Sequence, residues 1–217
     1  MNECVETDRL ILHRHIFENG TVFAQMEKKQ SQSSPQALVD LLKNNQNVLK
    51  GIFGWWLDVA SAYSAGLHIH EDSRAWRHKE QLQYYVYEKN TQKCIGIFCA
   101  IIKKNEAYVL AWLSSSSQGK GYAREIAKVF DKELFETLNI DKVRYECFNL
   151  NPHKSNVRSF LSASSYKEEK TTERSTIWCK TKVDYYSKIG IKPLLIKSKN
   201  MGLSFFQRLK NMFGYER

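Results

Sequence analysis

The residues best suited to chemistry are Ser114-Ser-Ser-Ser-Gln118-Gly119-Lys120-Gly121, followed at once by Tyr122, Ala123 and a run of apolar residues at helical spacing. A helix's first turn leaves backbone N–H groups unpaired and carries partial positive charge, so it attracts phosphate oxygens. Glycines allow positive φ angles and close backbone approach, which together turn successive amides into an anion-binding nest. Lys120 adds a full charge. A plain turn feeding a helix is the competing reading, because Gly-Lys-Gly without context is a weak signal. The spacing is not the G-x-x-x-x-G-K-[ST] of nucleotide hydrolases.

The elements that must position this loop read as follows. After it, Ala123, Ile126, Ala127, Phe130, Leu134 and Leu138 fall on one helical face, with Arg124, Glu125, Lys128, Asp131, Lys132 and Glu136 elsewhere. Before it, Tyr84 to Glu88, Cys94 to Ile102 and Ala107 to Leu113 are rich in β-branched and aromatic residues and are separated by polar turns, which predicts an antiparallel meander. Further upstream, Asp8 to Arg14 reads as a strand and Glu18 to Lys29 as a helical stretch. A second helix runs from Pro35, capped by Ser34, to about Lys50. Phe53-Gly-Trp-Trp-Leu57 reads as a loop, and Asp72 or Ser73 as the cap of a third helix through Leu82. Downstream come a strand over Val143 to Cys147, a short helix over Asn156 to Ser164, and a long strand or hairpin from Ser175 to Tyr186. This order predicts a mixed α/β sheet rather than a doubly wound one, so dinucleotide folds fit poorly.

Gln118-Gly-Lys-Gly121-Tyr-Ala123 resembles the Q/R-x-x-G-x-G/A signature of the GNAT N-acetyltransferases, whose loop holds the pyrophosphate of acetyl-coenzyme A. Thr7-Asp-Arg-Leu-Ile-Leu12 resembles the opening of the RimJ/RimL-type ribosomal-protein N-terminal acetyltransferase branch. Gly54-Trp-Trp-Leu57 is similar to that branch's aromatic acceptor-side segment, and Cys94-Ile-Gly-Ile-Phe98 and Ala111-Trp-Leu113 to its sheet strands. The likeness spans roughly Thr7 to Tyr186 and is most specific from 94 to 123. It implies the GNAT fold, an α/β (α+β) arrangement with a mixed, mostly antiparallel sheet flanked by helices. It also implies acetyl-CoA as co-substrate without a metal, the coenzyme lying against Trp112, Leu113, Ser114 and Gln118 to Ala123. The implied reaction is direct acetyl transfer, in a ternary complex, to a primary amine, foremost a protein N-terminus. A polyamine or aminoglycoside acceptor, or a coenzyme-binding module without catalysis, are the alternatives.

The resemblance also proposes catalytic groups. Alignment on Ala111-Trp-Leu113 puts Tyr108 where this branch usually carries a glutamate base, with Glu106 two residues earlier at a turn. His68, His70 and Glu71 lie in the acceptor region, read here as surface loop residues whose spacing makes no persuasive metal site. The family's N-x-x-S element, whose Asn contacts pantetheine or water and whose Ser can reach the coenzyme sulfur, matches either Asn156 with Ser159 or Asn151 with Ser155. Either serine could equally cap or line a helix.

The chain has 217 residues, 42% of them hydrophobic, which suits one globular domain and a little more. Its longest apolar stretch, Cys94 to Ile102, is half of the ~18 residues that a membrane span needs. The acidic start lacks the features of a signal peptide, so a cytoplasmic protein is expected. Five cysteines without C-x-x-C spacing predict reduced, buried thiols. The net charge is +10, yet positions 180–217 hold nine Lys or Arg against Asp184 and Glu216, which leaves only +3 for the first 179 residues. The predicted domain is 1–186, and 187–217 is a basic extension in which Leu203, Phe205, Phe206, Leu209, Met212 and Phe213 share a helical face. Such a helix suits docking on its own domain or a homodimer partner, or else a membrane surface or nucleic acid.

Overall fold

The meander forms because its segments alternate side chains between two faces that are both covered. In strand β3 (Gln81–Glu88), Leu82, Tyr84 and Val86 point to one face, and Gln83, Tyr85 and Tyr87 to the other, all buried. β3 pairs antiparallel with β4 (Cys94–Lys103), and β4 with β5 (Glu106–Leu113). The computed structural model describes residues 4–14, 35–49, 61–151 and 153–190. In these, the meander is the middle of an eight-stranded sheet completed by β1 (Cys4–Glu6), β2 (Leu10–His13), β6 (Lys142–Phe148), β7 (Lys167–Thr171) and β8 (Ser175–Thr181). The order is β1-β2-β3-β4-β5-β6-β8-β7, and β5–β6 is its only parallel pair.

Helices cover both faces. α1 (Pro35–Lys43), the single turn α2 (Gln46–Leu49) and α3 (Ala62–Arg77) lie on one side, where Leu38, Leu42 and Ile69 meet Tyr85, Ile97 and Trp112. α4 (Tyr122–Lys132), continued by a wider π turn over Glu133–Thr137, lies on the other. Its Phe130 ring stands edge-on to Tyr84 and Phe98, with centroids 6.2 and 5.8 Å away. α5 (Lys154–Ala163) and α6 (Lys182–Lys188) pack beside β6 and β8.

Several expectations need correction. The third helix begins at Ala62, not at Asp72: Ser61 and Ser64 form a reciprocal capping box there, the helix stops at Arg77, and Gln81 already belongs to β3. His68, His70 and Glu71 are therefore helical rather than loop residues. The terminal strand ends at Thr181, because Thr181 and Asp184 form another capping box and residues 182–188 are helix α6. The second helix ends at Lys43 and resumes briefly at Gln46. β1 and β7 were not foreseen. All five cysteines sit on strands, but only Cys99 and Cys147 are buried, and Cys4 is exposed. The expectations for Glu18 to Lys29, the Ser34 cap, Phe53 to Leu57 and the helical face over 203–213 lie outside the described residues.

One close approach fixes the end of β5. A Cβ on Gly96 would collide with the Trp112 carbonyl oxygen and come within 2.7 Å of Leu113 Cδ2. Gly96→Ala should therefore lower unfolding free energy by about 1–3 kcal/mol, the usual cost of overpacking, in a urea titration.

Candidate functional site

β5 and β6 run side by side only as far as the pair Val109–Tyr145. β5 continues to Leu113 and β6 to Phe148 without pairing each other, so the two strands part and open a wedge between their C-terminal ends. One wall, Leu110 to Leu113, presents a backbone edge that β6 does not satisfy. Because the pair is parallel, the loops leaving both strands emerge at the same end of the sheet: the glycine loop from β5 and the start of α5 from β6.

The glycine loop is held from several directions. Ser114 donates its N–H to the Ile95 carbonyl at 2.7 Å, its hydroxyl lies 2.9 Å from that of Ser117, and Gln118 Nε2 donates back to the Leu113 carbonyl at 3.0 Å. Gln118 is thus a brace of the loop. Gly119 and Gly121 have φ of +76° and +81°, and Gly121 is the residue from which α4 starts. A Cβ on Gly119 would meet nothing within 4 Å, so the space over the loop is open. The amides of Tyr122 and Ala123 precede any intrahelical acceptor. The Lys120 ammonium is half-exposed, 3.9 Å from Glu88 Oε1. The phenol of Tyr122 turns inward and donates to the same oxygen at 2.5 Å. That hydrogen bond holds Glu88 below the usual carboxylate range, so Tyr122 offers the loop only its backbone.

Two supports were not foreseen. Arg9 donates from Nη1 to the Lys120 carbonyl at 3.0 Å, stacks 4.5 Å from the Tyr122 ring, and is itself gripped by Glu125 through Nε at 2.8 Å. The Asn45 side chain accepts from the Ser115 N–H at 3.2 Å. Arg9 falls within the Thr7–Leu12 segment, but its role as an anchor does not show there, since it meets the loop only in three dimensions.

The predicted catalytic residues are dispersed. Glu106, Tyr108, Leu110 and Trp112 share the β5 face turned toward α1 and α3. Glu106 is ion-paired with Arg144, which also binds Glu169. The Arg144 hydrogen bond holds Glu106 below the usual carboxylate range, which suits a fixed anion and not a proton acceptor. The Tyr108 phenol is 40% exposed and lies 3.4 Å from both Glu106 Oε2 and Arg144 Nη1. Asn151 accepts from the His153 N–H at 2.9 Å and shapes the entry to α5, while Ser155, Asn156 and Ser159 lie exposed on that helix.

On the same face as Leu110, a cleft of about 280 Å³ opens between α3 and the sheet, lined by His68, Glu71, Asp72, Gln81, Cys99 and Leu110 among others. Two of the helical residues foreseen for the acceptor region reach it. Asp72, foreseen only as a cap, lies at its base. Among the described residues, no group of three or more His, Cys, Asp or Glu is placed to hold a metal ion, and no helix is long and apolar enough to cross a membrane.

Against known proteins, residues 25–159 match the model of the acetyltransferase (GNAT) domain. A search of curated protein sequences found no match. Among solved structures, the chain is similar to the RimL ribosomal L7/L12 α-N-protein acetyltransferase in complex with coenzyme A, at 15% identity over 82% of this chain and 98% of that one, with a TM-score of 0.68. It is also similar to the ribosomal-protein-S5-alanine acetyltransferase of Vibrio fischeri, at 15% identity over 85% and 99%, TM-score 0.64. The microcin C7 self-immunity acetyltransferase MccE, solved with acetyl-CoA and AMP, matches at 17% identity over 80% and 93%, TM-score 0.62. At these identities the likeness is one of fold.

Proposed function

Because the chain belongs to the GNAT acetyltransferase family, we propose that it moves the acetyl group of acetyl-CoA directly to a primary amine, and that the amine is a protein N-terminus. One observation carries the coenzyme assignment: two left-handed glycines feed an open helix N-terminus beside the wedge between β5 and β6. The diphosphate fits there against the amides of Gly119 to Ala123, with Lys120 beside it. On the edge of Leu110 to Leu113, where Gln118 already occupies the Leu113 carbonyl, the remaining backbone groups offer strand-type hydrogen bonds to the amides of pantetheine, and this brings the thioester to the region of Leu110. From the far wall of the wedge, Asn151 and the first turn of α5, with Ser155, Asn156 and Ser159, are the groups nearest in the fold for the leaving thiolate.

The acceptor class follows from size and acidity. A cleft of about 280 Å³ admits a slim group such as the end of a chain and is tight for a bulky ligand such as an aminoglycoside. An α-amino group, with a reference pKa of about 7.7–8.0 against about 10.4 for lysine, needs the least help to become a nucleophile. The three neighbours named above are all acetyltransferases, and two of them are named for ribosomal proteins. We further assign the enzyme to the cytoplasm, with 1–186 as the catalytic domain and 187–217 as a basic extension that docks on its own domain or on a second copy.

The test is release of free thiol from acetyl-CoA with a panel of N-terminal peptides, spermidine and an aminoglycoside. Turnover on peptides alone supports this reading. Turnover on the small cations alone replaces the acceptor, and coenzyme binding without any turnover removes catalysis.

A further inference from the structure

We propose that Asp72 is the catalytic base of this site, taking the proton from an acceptor ammonium that enters through the cleft between α3 and the sheet. This rests on the acetyltransferase reading above. Asp72 stands on the helix flanking the cleft, and its carboxylate is aimed at a row of polar side chains on an otherwise apolar sheet face. Gln81 Nε2 donates to Oδ1 at 2.8 Å, while Gln83 Nε2 and the Tyr85 hydroxyl, the latter at 3.2 Å, donate to Oδ2. An ionised carboxylate offers about four lone-pair positions. Three donors leave room for one more; His68 Nε2 stands 3.6 Å from Oδ2, and the cleft that Asp72 lines is the way in.

Sheet register ties this cleft to the reacting atoms. Gln83, Cys99 and Leu110 stand opposite one another across β3, β4 and β5 and form one row on this face. Leu110 is also the first residue of β5 beyond the last pair with β6, where the wedge begins. An amine at Asp72 therefore approaches the thioester from the face opposite α4.

The surroundings suit a base. Burial pushes the Asp72 carboxyl up to about 7, against the opposing hydrogen bonds from Tyr85, Gln81 and Gln83. The titratable and charged groups facing it or its cleft are His68, Glu71 and Arg74 on its own helix, Tyr85 on β3 and Cys99 on β4. Burial pushes the His68 imidazole down, so it is neutral near pH 7, with Nε2 3.6 Å from Asp72 Oδ2. Burial pushes the Tyr85 phenol and the Cys99 thiol well up, which leaves both uncharged. An ammonium entering the cleft passes the Arg74 guanidinium and meets the carboxylates of Glu71 and Asp72, of which Asp72 is raised into the range of a general base.

In the proposed step, the Asp72 carboxylate takes one proton from R–NH₃⁺. The nitrogen lone pair forms the new C–N bond at the thioester carbonyl, and the C–S bond breaks with its electron pair going to sulfur. The second nitrogen proton goes to the thiolate, and Asp72 returns its own proton to solvent.

The experiment compares kcat for the full chain and for Asp72→Asn between pH 5.5 and 9, with saturating acetyl-CoA and an Ala-, Ser- or Met-initiated peptide. At pH 7.5, where a carboxyl titrating near 7 is mostly ionised and an α-amine of pKa near 8 is mostly protonated, the variant should be at least ~100-fold slower, the low end of general-base catalysis. The gap should close by pH 9, where the amine loses its proton unaided. Calorimetric affinity for coenzyme A should be unchanged. A gap that stays constant with pH, or turnover within threefold of wild type at pH 7.5, overturns the assignment and leaves the acetyltransferase reading standing. Failure of the wild-type chain to bind coenzyme A overturns both. Should the variant not fold, carbon-13 NMR of the wild-type Asp72 carboxyl decides: a midpoint near 7 supports the proposal, and one below 5 overturns it.

Discussion

Gly121→Glu should weaken coenzyme A binding by at least ~100-fold in a calorimetric titration, about 2.7 kcal/mol. Two effects add. At φ +81° a residue with a Cβ pays about 1–2 kcal/mol that glycine does not. A carboxylate placed among amides that face a diphosphate adds repulsion worth up to ~4 kcal/mol per charge pair at 4 Å and an effective dielectric of 20. The one side chain near the new Cβ would be Arg9, whose Nη2 lies 3.6 Å away but is already bound to Glu125. A glutamate at 121 would compete for Arg9 and loosen the anchor of the loop as well as block it. Gly121→Ala separates the two causes, since strain alone should cost roughly tenfold. Unchanged affinity for the glutamate variant would place the diphosphate elsewhere.

Lys180→Met should cost the fold ~3–5 kcal/mol, because it strands a charge. Lys180 on β8 meets Asp131 on α4 at 2.5 Å, with both side chains about 95% buried, and Tyr166 donates to the other carboxylate oxygen at 2.5 Å. Burial pushes the Asp131 carboxyl up and the Lys180 ammonium down, and each is held charged by its partner. Removing one partner leaves the other buried and unpaired, which is costlier than removing both. For a chain of this size the loss corresponds to a fall of roughly 10 °C in Tm. The double replacement Asp131→Leu with Lys180→Met should recover most of it, leaving the Tyr166 hydroxyl without its acceptor at a cost of ~1–3 kcal/mol. A double variant no better than the single one would mean that the pair contributes through packing alone.

How far these features could be read from the residues depended on whether local pattern or tertiary contact decided them. The α4 stripe of Ile126, Phe130 and Leu134 and the meander from 84 to 113 are legible, since their apolar periods are strong and their partners follow in sequence. α3 was misplaced because its interior carries His68, Asp72 and Ser73, residues that resemble a cap when their buried partners on β3 are unknown. Gln81 and Gln83, two positions apart within a buried strand, were the available sign that a polar group must face them. β7 reads Lys-Glu-Glu-Lys-Thr and is exposed throughout, so no alternation marked it, and charge is what an edge strand needs. The turn from β8 into α6 hid behind strand-forming residues, although Thr181-x-x-Asp184 is a start signal. At the site, the glycine loop was visible as a motif. Arg9 and Asn45 act on it across 111 and 70 residues, which no local pattern shows, whereas Asp72 meets Gln81, Gln83 and Tyr85 only 9, 11 and 13 residues on and reads from the sequence alone as a cap.

The grip of Glu125 on residues 7–9 has a consequence for how the loop is held. Thr7 and the Arg9 backbone and guanidinium all bind one carboxylate, and Glu125 lies 116 residues beyond Arg9. The first hairpin and the glycine loop are therefore fastened to each other: without residues 7–9 in place, Glu125 loses three of its donors and the Lys120 carbonyl loses its bond from Arg9.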